Sequence, residues 1–240
     1  ADKWSTNYTG HFLVEAEKLG YTIPVGMIDD WKIFQIKQAR TWTTGSHRSE
    51  LIQAYRLYTL ALAGSPELGA MNRLLEQETL TDPARFRLGA AYQLAGQPEA
   101  ALKLIKNARI DIEQYTELSN TYGSDIRDKA MILESLCLLG KNDKAKSLAD
   151  EISDALNDEK YMSTQTTAYS LIAMAVYSGV FDQTKNMTVE LVWNDGIINM
   201  ESSSPVLQQT LKISDGKINR ISFKNNNNLL LIESSILAQN

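Results

Sequence analysis

The chain has 240 residues, of which 43% are apolar and 22% are charged, a composition that favours a globular protein with a substantial core and excludes a disordered tail or a collagen-like repeat. Its 24 basic residues against 29 acidic ones give a net charge of −5, so no broad basic field is available and we expect no nucleic-acid partner. The single cysteine, Cys137, excludes an intrachain disulfide and a zinc site built from cysteines.

The start of the sequence lacks the pattern of a signal peptide. The chain starts with Ala-Asp-Lys-Trp, without an initiator Met and without the apolar segment of a signal peptide, and we therefore expect an internal segment of a longer polypeptide. The longest nearly apolar stretch, residues 168–180, is about half of the roughly 20 residues that a membrane-spanning helix needs. We expect no membrane span in this chain.

Helix starts and ends are clearly marked in the first three quarters of the chain. Ser65-Pro66 and Asp82-Pro83 each place a capping side chain before a proline that suits a first helical turn, which predicts helix starts. Three glycines follow apolar runs and precede polar turns, where a left-handed residue commonly ends a helix; they are Gly64, Gly96 and Gly140.

Between these marks apolar residues recur at steps of three or four, which predicts helices that each bury one face. The clearest sets are Leu51, Tyr55, Tyr58 and Leu62, then Ile126, Ala130, Leu133 and Cys137, and then Ala145, Leu148, Ile152 and Leu156. Because the connections are short, we expect consecutive helices to form antiparallel hairpins.

One hairpin, residues 88–108, follows much of the tetratricopeptide repeat pattern. The turn glycines Gly64, Gly96 and Gly140, however, are 32 and then 44 residues apart. A solenoid needs regular repeats to bury its faces, so an array of such repeats is an alternative and not the leading interpretation.

The pattern changes after Gly179. The apolar residues Val189, Leu191 and Trp193 stand at every second position before a turn signal at residues 194–196, which predicts a strand. Residues 206–223 predict a hairpin with its turn at 214–217, and residues 229–236 predict a further strand. A β module of about 50 residues is small for an independent domain, and we expect segments outside this chain to complete it.

No residue pattern predicts a catalytic, cofactor-binding or metal-binding site. The two histidines, His11 and His47, stand in no metal-ligand or triad spacing, and we interpret them as a helix histidine and a loop histidine. Cys137 lies among leucines, where burial makes a thiol unreactive. Ser214 and Lys217 have the spacing of a serine acylase but lie on a predicted turn without the partner motifs.

Two adjacent acids, Asp29 and Asp30, could suggest a metal or acid pair. They stand where a helix after Pro24 would begin, so capping and the helix dipole explain them more simply. Neither a dinucleotide-binding glycine motif nor a phosphate loop is present.

Four strings in the helical part stand out together: WSTNYTGHFLVEA at 4–16, AYRLYTLALAG at 54–64, YGSDIRDKA at 122–130 and STQTTAY at 163–169. In this order they resemble the later part of the thioester domain of bacterial α-macroglobulins. The resemblance implies a mainly α fold with a small β module, in which α-hairpins form part of an α/α toroid and antiparallel strands follow. It implies a partial thioester-like domain at residues 1–183 and an incomplete β-sandwich segment of CUB type at 187–240.

The reactive element of that family is a Gly-Cys-x-Glu-Gln string whose Cys and Gln side chains condense into a thioester. No such string occurs here, and Cys137, followed by Leu138-Leu139-Gly140, is not that cysteine. The family's string lies upstream of the region that resembles residues 4–16, so we expect it outside this chain. His11 does not inherit the acyl-relay role of the histidine in complement-type members.

The resemblance implies a part of a broad-spectrum endopeptidase inhibitor of the bacterial cell envelope, periplasmic or anchored to the outer membrane, and not an enzyme. The implied partners are target proteases, through the longer parent, and neighbouring macroglobulin domains; no cofactor is expected. We also expect an exposed apolar edge near residues 8–42, through which the chain would self-associate. The alternatives are a tetratricopeptide-like binding scaffold and an α/α-toroid glycosidase, which needs paired carboxylates in a central cleft.

Overall fold

A computed structural model describes residues 2–45, 48–77, 80–158, 162–182, 187–194, 196–202, 210–211 and 220–225. Nine helices lie in these residues: α1 (Lys3–Lys18), α2 (Met27–Arg40), α3 (Ser49–Leu62), α4 (Leu68–Leu75), α5 (Asp82–Leu94), α6 (Pro98–Ile105), α7 (Asp125–Leu138), α8 (Asn142–Asn157) and α9 (Thr164–Asp182). Three strands follow them: β1 (Met187–Trp193), β2 (Gly196–Ser202) and β3 (Ile221–Asn225). The predicted fold class, mainly α with a small antiparallel β module, is confirmed.

The chain divides into two compact units, Ala1–Tyr177 and Ser178–Asn240, and the division falls inside α9. The predicted domain boundaries, 1–183 and 187–240, stay a prediction.

All three predicted helix ends are confirmed. Gly64, Gly96 and Gly140 have φ angles of 73°, 73° and 65°, a left-handed conformation in which a Cβ is disfavoured. After each glycine, the next backbone N–H reaches back to a carbonyl of the last helical turn; for α3, Ser65 N donates to Leu60 O at 2.8 Å. The left-handed glycine and the hydrogen bond after it satisfy backbone carbonyls at the helix C-terminus that have no partner within the helix.

The predicted helix starts are shifted. Ser65 completes the end of α3, and α4 begins only at Leu68, with Glu67 as its N-cap. Asp82 is the first residue of α5 and not its cap, which is Thr81. Asp29 lies in the first turn of α2, where its charge favours the helix dipole, although the cap itself is Gly26.

The helices alternate between an inner and an outer position in the first unit. Twelve of the fourteen residues of α3 are buried, against four of fourteen in α2. Helix α3 packs on α5, and α5 packs on α7, while each also packs on an even-numbered neighbour. The prediction that each helix buries a single face is therefore wrong for α3 and α7, because an inner helix has neighbours on every side.

The first and last inner helices also touch. The rings of Tyr8 on α1 and Tyr169 on α9 lie 5.6 Å apart between their centroids. Trp4 and Tyr169 lie 6.5 Å apart. The inner helices α1, α3, α5, α7 and α9 therefore surround a common centre.

The described strands of the second unit form an antiparallel sheet in the order β2-β1-β3. The predicted strand ending at Trp193 is confirmed as β1, which pairs with β2 from Met187 opposite Ser202 to Trp193 opposite Gly196. Strand β2 was not predicted. Strand β3 pairs with β1, with Leu191 opposite Phe223. Most of the predicted hairpin at 206–223 and the whole predicted strand at 229–236 lie outside the described residues.

The α1–α2 hairpin carries the apolar surface that the sequence predicts near residues 8–42. Its exposed large apolar side chains are Phe12, Leu19, Tyr21, Val25, Met27, Ile33 and Phe34. Self-association through this surface stays a prediction.

No helix in the described part of the chain is both long enough and apolar enough to cross a membrane.

Candidate functional site

Polar side chains from five helices meet at the centre of the first unit. Each inner helix contributes at least one of them, and all are buried. We call this set the central cluster; it consists of His11 on α1, Tyr55 and Tyr58 on α3, Arg87 on α5, Glu134 on α7 and Tyr169 on α9.

An ion pair between Arg87 and Glu134 holds the cluster together. Arg87 Nη2 donates to Glu134 Oε2, and Tyr58 donates its hydroxyl proton to Glu134 Oε1 at 2.8 Å. The Arg87 guanidinium also lies 4.3 Å from the centroid of the Tyr58 ring, within the range of a cation–π contact.

Burial alone would disfavour both charges of this pair. It would lower the pKa of Arg87 and raise that of Glu134, but the opposite charge of each partner reverses the direction. The net pKa of Arg87 is raised and that of Glu134 is lowered. Both groups are therefore charged at neutral pH, and Glu134 does not serve as a general acid.

His11 lies on a helix, as the sequence predicts, but its surroundings were not predicted. Its Nδ1 lies 3.0 Å from the Tyr55 hydroxyl, and its ring meets the Tyr58 ring edge-on at 5.7 Å. Its Nε2 has no hydrogen-bond partner among the described residues. Burial lowers the pKa of His11, so the imidazole is neutral at neutral pH. With 2% of its surface exposed, it does not reach a solvent-borne substrate.

A second polar network surrounds the carboxylate of Asp128 at the start of α7. Arg127 donates to Oδ1 from Nε at 3.0 Å and from Nη2 at 2.6 Å. Tyr115 and Arg48 donate to Oδ2 at 2.7 and 3.2 Å. The Arg127 guanidinium also lies 4.5 Å from the centroid of the Trp4 ring. This network fastens the loop between α6 and α7 to the inner helices, because Tyr115 comes from that loop and Arg48 from the start of α3, while Asp128 lies on α7.

Neither network contains an activated nucleophile, and the single cysteine, which lies outside both, is not activated either. Cys137 is buried, as predicted, and burial raises the pKa of its thiol to about 11, so little thiolate is present at neutral pH. Within the described residues, no group of three or more His, Cys, Asp or Glu side chains is arranged to hold a metal ion. His47, Ser214 and Lys217 lie outside the described residues.

One surface cleft has a volume of about 150 Å³ and lies beside the α1–α2 connection. It is lined by two carboxylates, Glu17 and Asp29, together with Lys32 and apolar residues. A glycosidase needs its pair of carboxylates around the scissile bond. Glu17 and Asp29 lie on the hairpin at the edge of the unit, whereas the central cluster holds a single carboxylate, Glu134.

Sequence reasoning missed most of the central cluster. Tyr55 and Tyr58 were assigned to an apolar helix face, and Arg87 and Glu134 were not singled out at all. A signal was present, since Arg87 stands between Phe86 and Leu88, and Glu134 follows Leu133 in the middle of an apolar helix. A charged residue with apolar neighbours on a buried helix is rarely without a partner, so each one indicated a buried partner of opposite charge but not which residue it is.

Neither the known protein-family models nor the curated protein sequences contain a match to this chain. Solved structures, however, do match this chain. The native α-2-macroglobulin of Escherichia coli, in a structure from domain MG7 to the C-terminus, superimposes with a TM-score of 0.64 at 19% identity, covering 94% of this chain and 34% of that one. The trypsin-activated Escherichia coli protein superimposes with a TM-score of 0.61 at 20% identity and covers 94% of this chain and 15% of that one.

A third structure, Salmonella α-2-macroglobulin reacted with methylamine, gives a TM-score of 0.64 at 18% identity and covers 94% of this chain and 14% of that one. The chain therefore spans about a third or less of the length of these proteins. The fold is that of a segment of bacterial α-2-macroglobulins, as the four strings in the sequence predicted.

Proposed function

We propose that this chain is the later part of the thioester domain of a bacterial α-macroglobulin, together with part of the adjoining β-sandwich, and that the whole protein traps foreign proteases at the cell envelope. The observation that carries the proposal is the fold match, which extends over 94% of the chain. The four strings between residues 4 and 169 support it independently, because their order along the chain is that of the family.

In this proposal the chain is not an enzyme, and the central cluster has a structural role. The Arg87–Glu134 pair, the neutral His11 and the surrounding tyrosines connect all five inner helices. The partners of the whole protein are target proteases and the neighbouring macroglobulin domains. The exposed apolar side chains on the α1–α2 hairpin suit a surface that contacts other domains, since contiguous apolar surface commonly marks an interaction site.

A tetratricopeptide-like scaffold is less well supported. In such a scaffold each helix pair contacts only its neighbours, so the first and last helices stay apart. Here Tyr8 on α1 lies against Tyr169 on α9, and the side chains of five helices share one centre.

The proposal is tested with the full natural polypeptide that contains this chain. We incubate it with trypsin and measure trypsin activity on a small peptide substrate and on a large protein substrate. A trap is expected to leave cleavage of the small substrate intact and to suppress cleavage of the large one. Equal activity on both substrates, with and without the polypeptide, would contradict the proposal.

Location is measured separately by fractionating cells that express the same polypeptide. We expect it in the periplasmic or outer-membrane fraction. Recovery with a cytoplasmic marker protein would argue against a role at the envelope.

A further inference from the structure

Arg56 on α3 is a buried cation with no carboxylate partner in the described part of the chain. It is 2% exposed. Its Nε donates to Gln35 Oε1 at 2.8 Å, and its Nη1 donates to Gln53 Oε1. No Asp or Glu among the described residues forms an ion pair with it. The other two fully buried arginines, Arg87 and Arg127, each pair with a carboxylate.

This arrangement leaves the charge of Arg56 uncompensated. Neutral amide oxygens accept hydrogen bonds from Nε and Nη1 but do not balance the charge of the guanidinium, and burying an unpaired charge is costly. Burial lowers the pKa of Arg56 to about 10, so the side chain is still a cation at neutral pH. A nearby anion would therefore stabilise the folded chain.

The side chain of Arg56 lines another surface cleft. This cleft has a volume of about 70 Å³ and is lined by Lys3, Gln38, Thr41, Trp42, Thr43 and Arg56. The lining contains two cations, two hydroxyls, an amide and no carboxylate. Next to Arg56, Gln35 contributes a buried amide nitrogen without a hydrogen-bond partner in the described part of the chain.

We propose that this cleft, between α2, the start of α1 and α3, binds one small oxyanion of the phosphate or sulfate class through Arg56 and Lys3. Guanidinium and oxyanion match in geometry and form charge-assisted hydrogen bonds. The cleft has room for one such group beside the two cations. This inference does not depend on the proposed function.

The experiment titrates the whole chain with inorganic phosphate at constant ionic strength and follows binding by calorimetry. The variants are Arg56→Gln and Lys3→Ala, with Lys103→Ala as the control, since Lys103 is an exposed lysine of α6 that does not line the cleft. Sodium chloride at the same ionic strength controls for general screening. Acetate and a short acidic peptide form two further arms, which distinguish a free anion from a carboxylate side chain.

We expect saturable binding of phosphate with one site per chain. Arg56→Gln should weaken it about ten- to a hundredfold, the range for a lost charged hydrogen bond. Lys3→Ala should weaken it about two- to fivefold, since Lys3 is exposed. Lys103→Ala should leave it unchanged.

If Arg56→Gln does not fold, Lys3→Ala and Thr43→Val, both changes of exposed residues in the lining, decide the question. Phosphate binding that is not saturable, or that falls equally in Lys103→Ala and Lys3→Ala, would overturn the proposal. Tighter binding of the acidic peptide than of both phosphate and acetate would also overturn the proposal, because the occupant would then be a peptide carboxylate and not an oxyanion of the phosphate or sulfate class.

Discussion

The indole N–H of Trp4 donates to Oε1 of Gln165 at 2.7 Å, although 161 residues separate the two along the chain. Trp4 belongs to the first helix and Gln165 to the last. This hydrogen bond, together with the contact between Tyr8 and Tyr169, closes the arrangement of inner helices. Closure is the feature that distinguishes the first unit from an open stack of hairpins.

Removing this closure should destabilise the chain. Trp4 is completely buried, and Trp4→Ala should lower the free energy of unfolding by about 3–5 kcal/mol. Gln165→Leu should cost about 1–3 kcal/mol, because it leaves the indole N–H without its acceptor. Leu171→Ser on the exposed face of α9 is the control and should change it by less than about 0.5 kcal/mol. Urea unfolding followed by circular dichroism measures all three.

Replacing one partner of the central ion pair should lower the free energy of unfolding more than replacing both partners. Glu134→Gln leaves the charge of Arg87 buried without an anion, and we expect a loss of about 3–5 kcal/mol. The double variant Glu134→Leu with Arg87→Met removes both charges, and its free energy of unfolding should fall by less than that of Glu134→Gln alone. A double variant at least as unstable as the single one would contradict this account of the pair.

The exposed ion pair between Lys146 and Asp150 is the matched control for that experiment. Both side chains are about half exposed, and solvent screens such pairs. Asp150→Asn should leave the unfolding midpoint unchanged.

Stability should fall in mild acid because of His11. Its pKa in the folded chain lies below the ordinary value of 6.5, chiefly because of burial, and the nearby Arg87 lowers it further while Glu134 opposes. The unfolded chain therefore binds the proton more readily, and stability decreases as the pH falls below about 6.5. One such group gives a slope of at most about 1.4 kcal/mol per pH unit.

A second decrease should begin in stronger acid. The pKa of Glu134 lies below its ordinary value of 4.5, since Arg87 outweighs burial, and its contribution is lost as the pH falls below about 4.5. His11→Gln should therefore remove the pH dependence between 7.5 and 5.5 but keep the later decrease. Urea unfolding at these pH values tests this; an unchanged slope in His11→Gln would show that another group titrates.

Two helical glycines should respond to alanine in opposite ways. A Cβ on Gly10 of α1 would lie 1.9 Å from the Trp31 ring, whereas a Cβ on Gly69 of α4 would meet nothing within 4 Å. Gly10→Ala should cost about 1–3 kcal/mol, because the packing of α1 on α2 has to shift. Gly69→Ala should be neutral or stabilise by up to about 1 kcal/mol through helix propensity. Thermal unfolding compares the two.

The thiol of Cys137 should be unreactive in the folded chain. It is buried, and burial raises its pKa to about 11, so a thiol reagent should label it slowly in buffer and rapidly in urea.

The chain should also gain no mass with methylamine, since it has no Gly-Cys-x-Glu-Gln string and acyl transfer needs an activated carbonyl. Methylamine incorporation measured by mass spectrometry would contradict the expectation that this chain holds no activated carbonyl.

Local signals along the chain determined where most elements end and which type they are. Gly64, Gly96 and Gly140 ended helices as predicted, because a left-handed residue after an apolar run depends on a few neighbouring residues only. The apolar residues at every second position in β1 likewise gave a strand. Helix starts were less reliable: Ser65 serves the end of α3, since the same polar residue suits either role in a turn.

Only the tertiary structure decided which helices lie inside and what meets between them. Arg87 and Glu134 are 47 residues apart, and His11 and Tyr55 are 44 apart. Helical periodicity places a side chain on a face of its own helix but does not say which other face it meets. Arg56 shows the same limit: the sequence presents it as one more arginine, and only the packing of α2 on α3 leaves it buried among amides without a carboxylate.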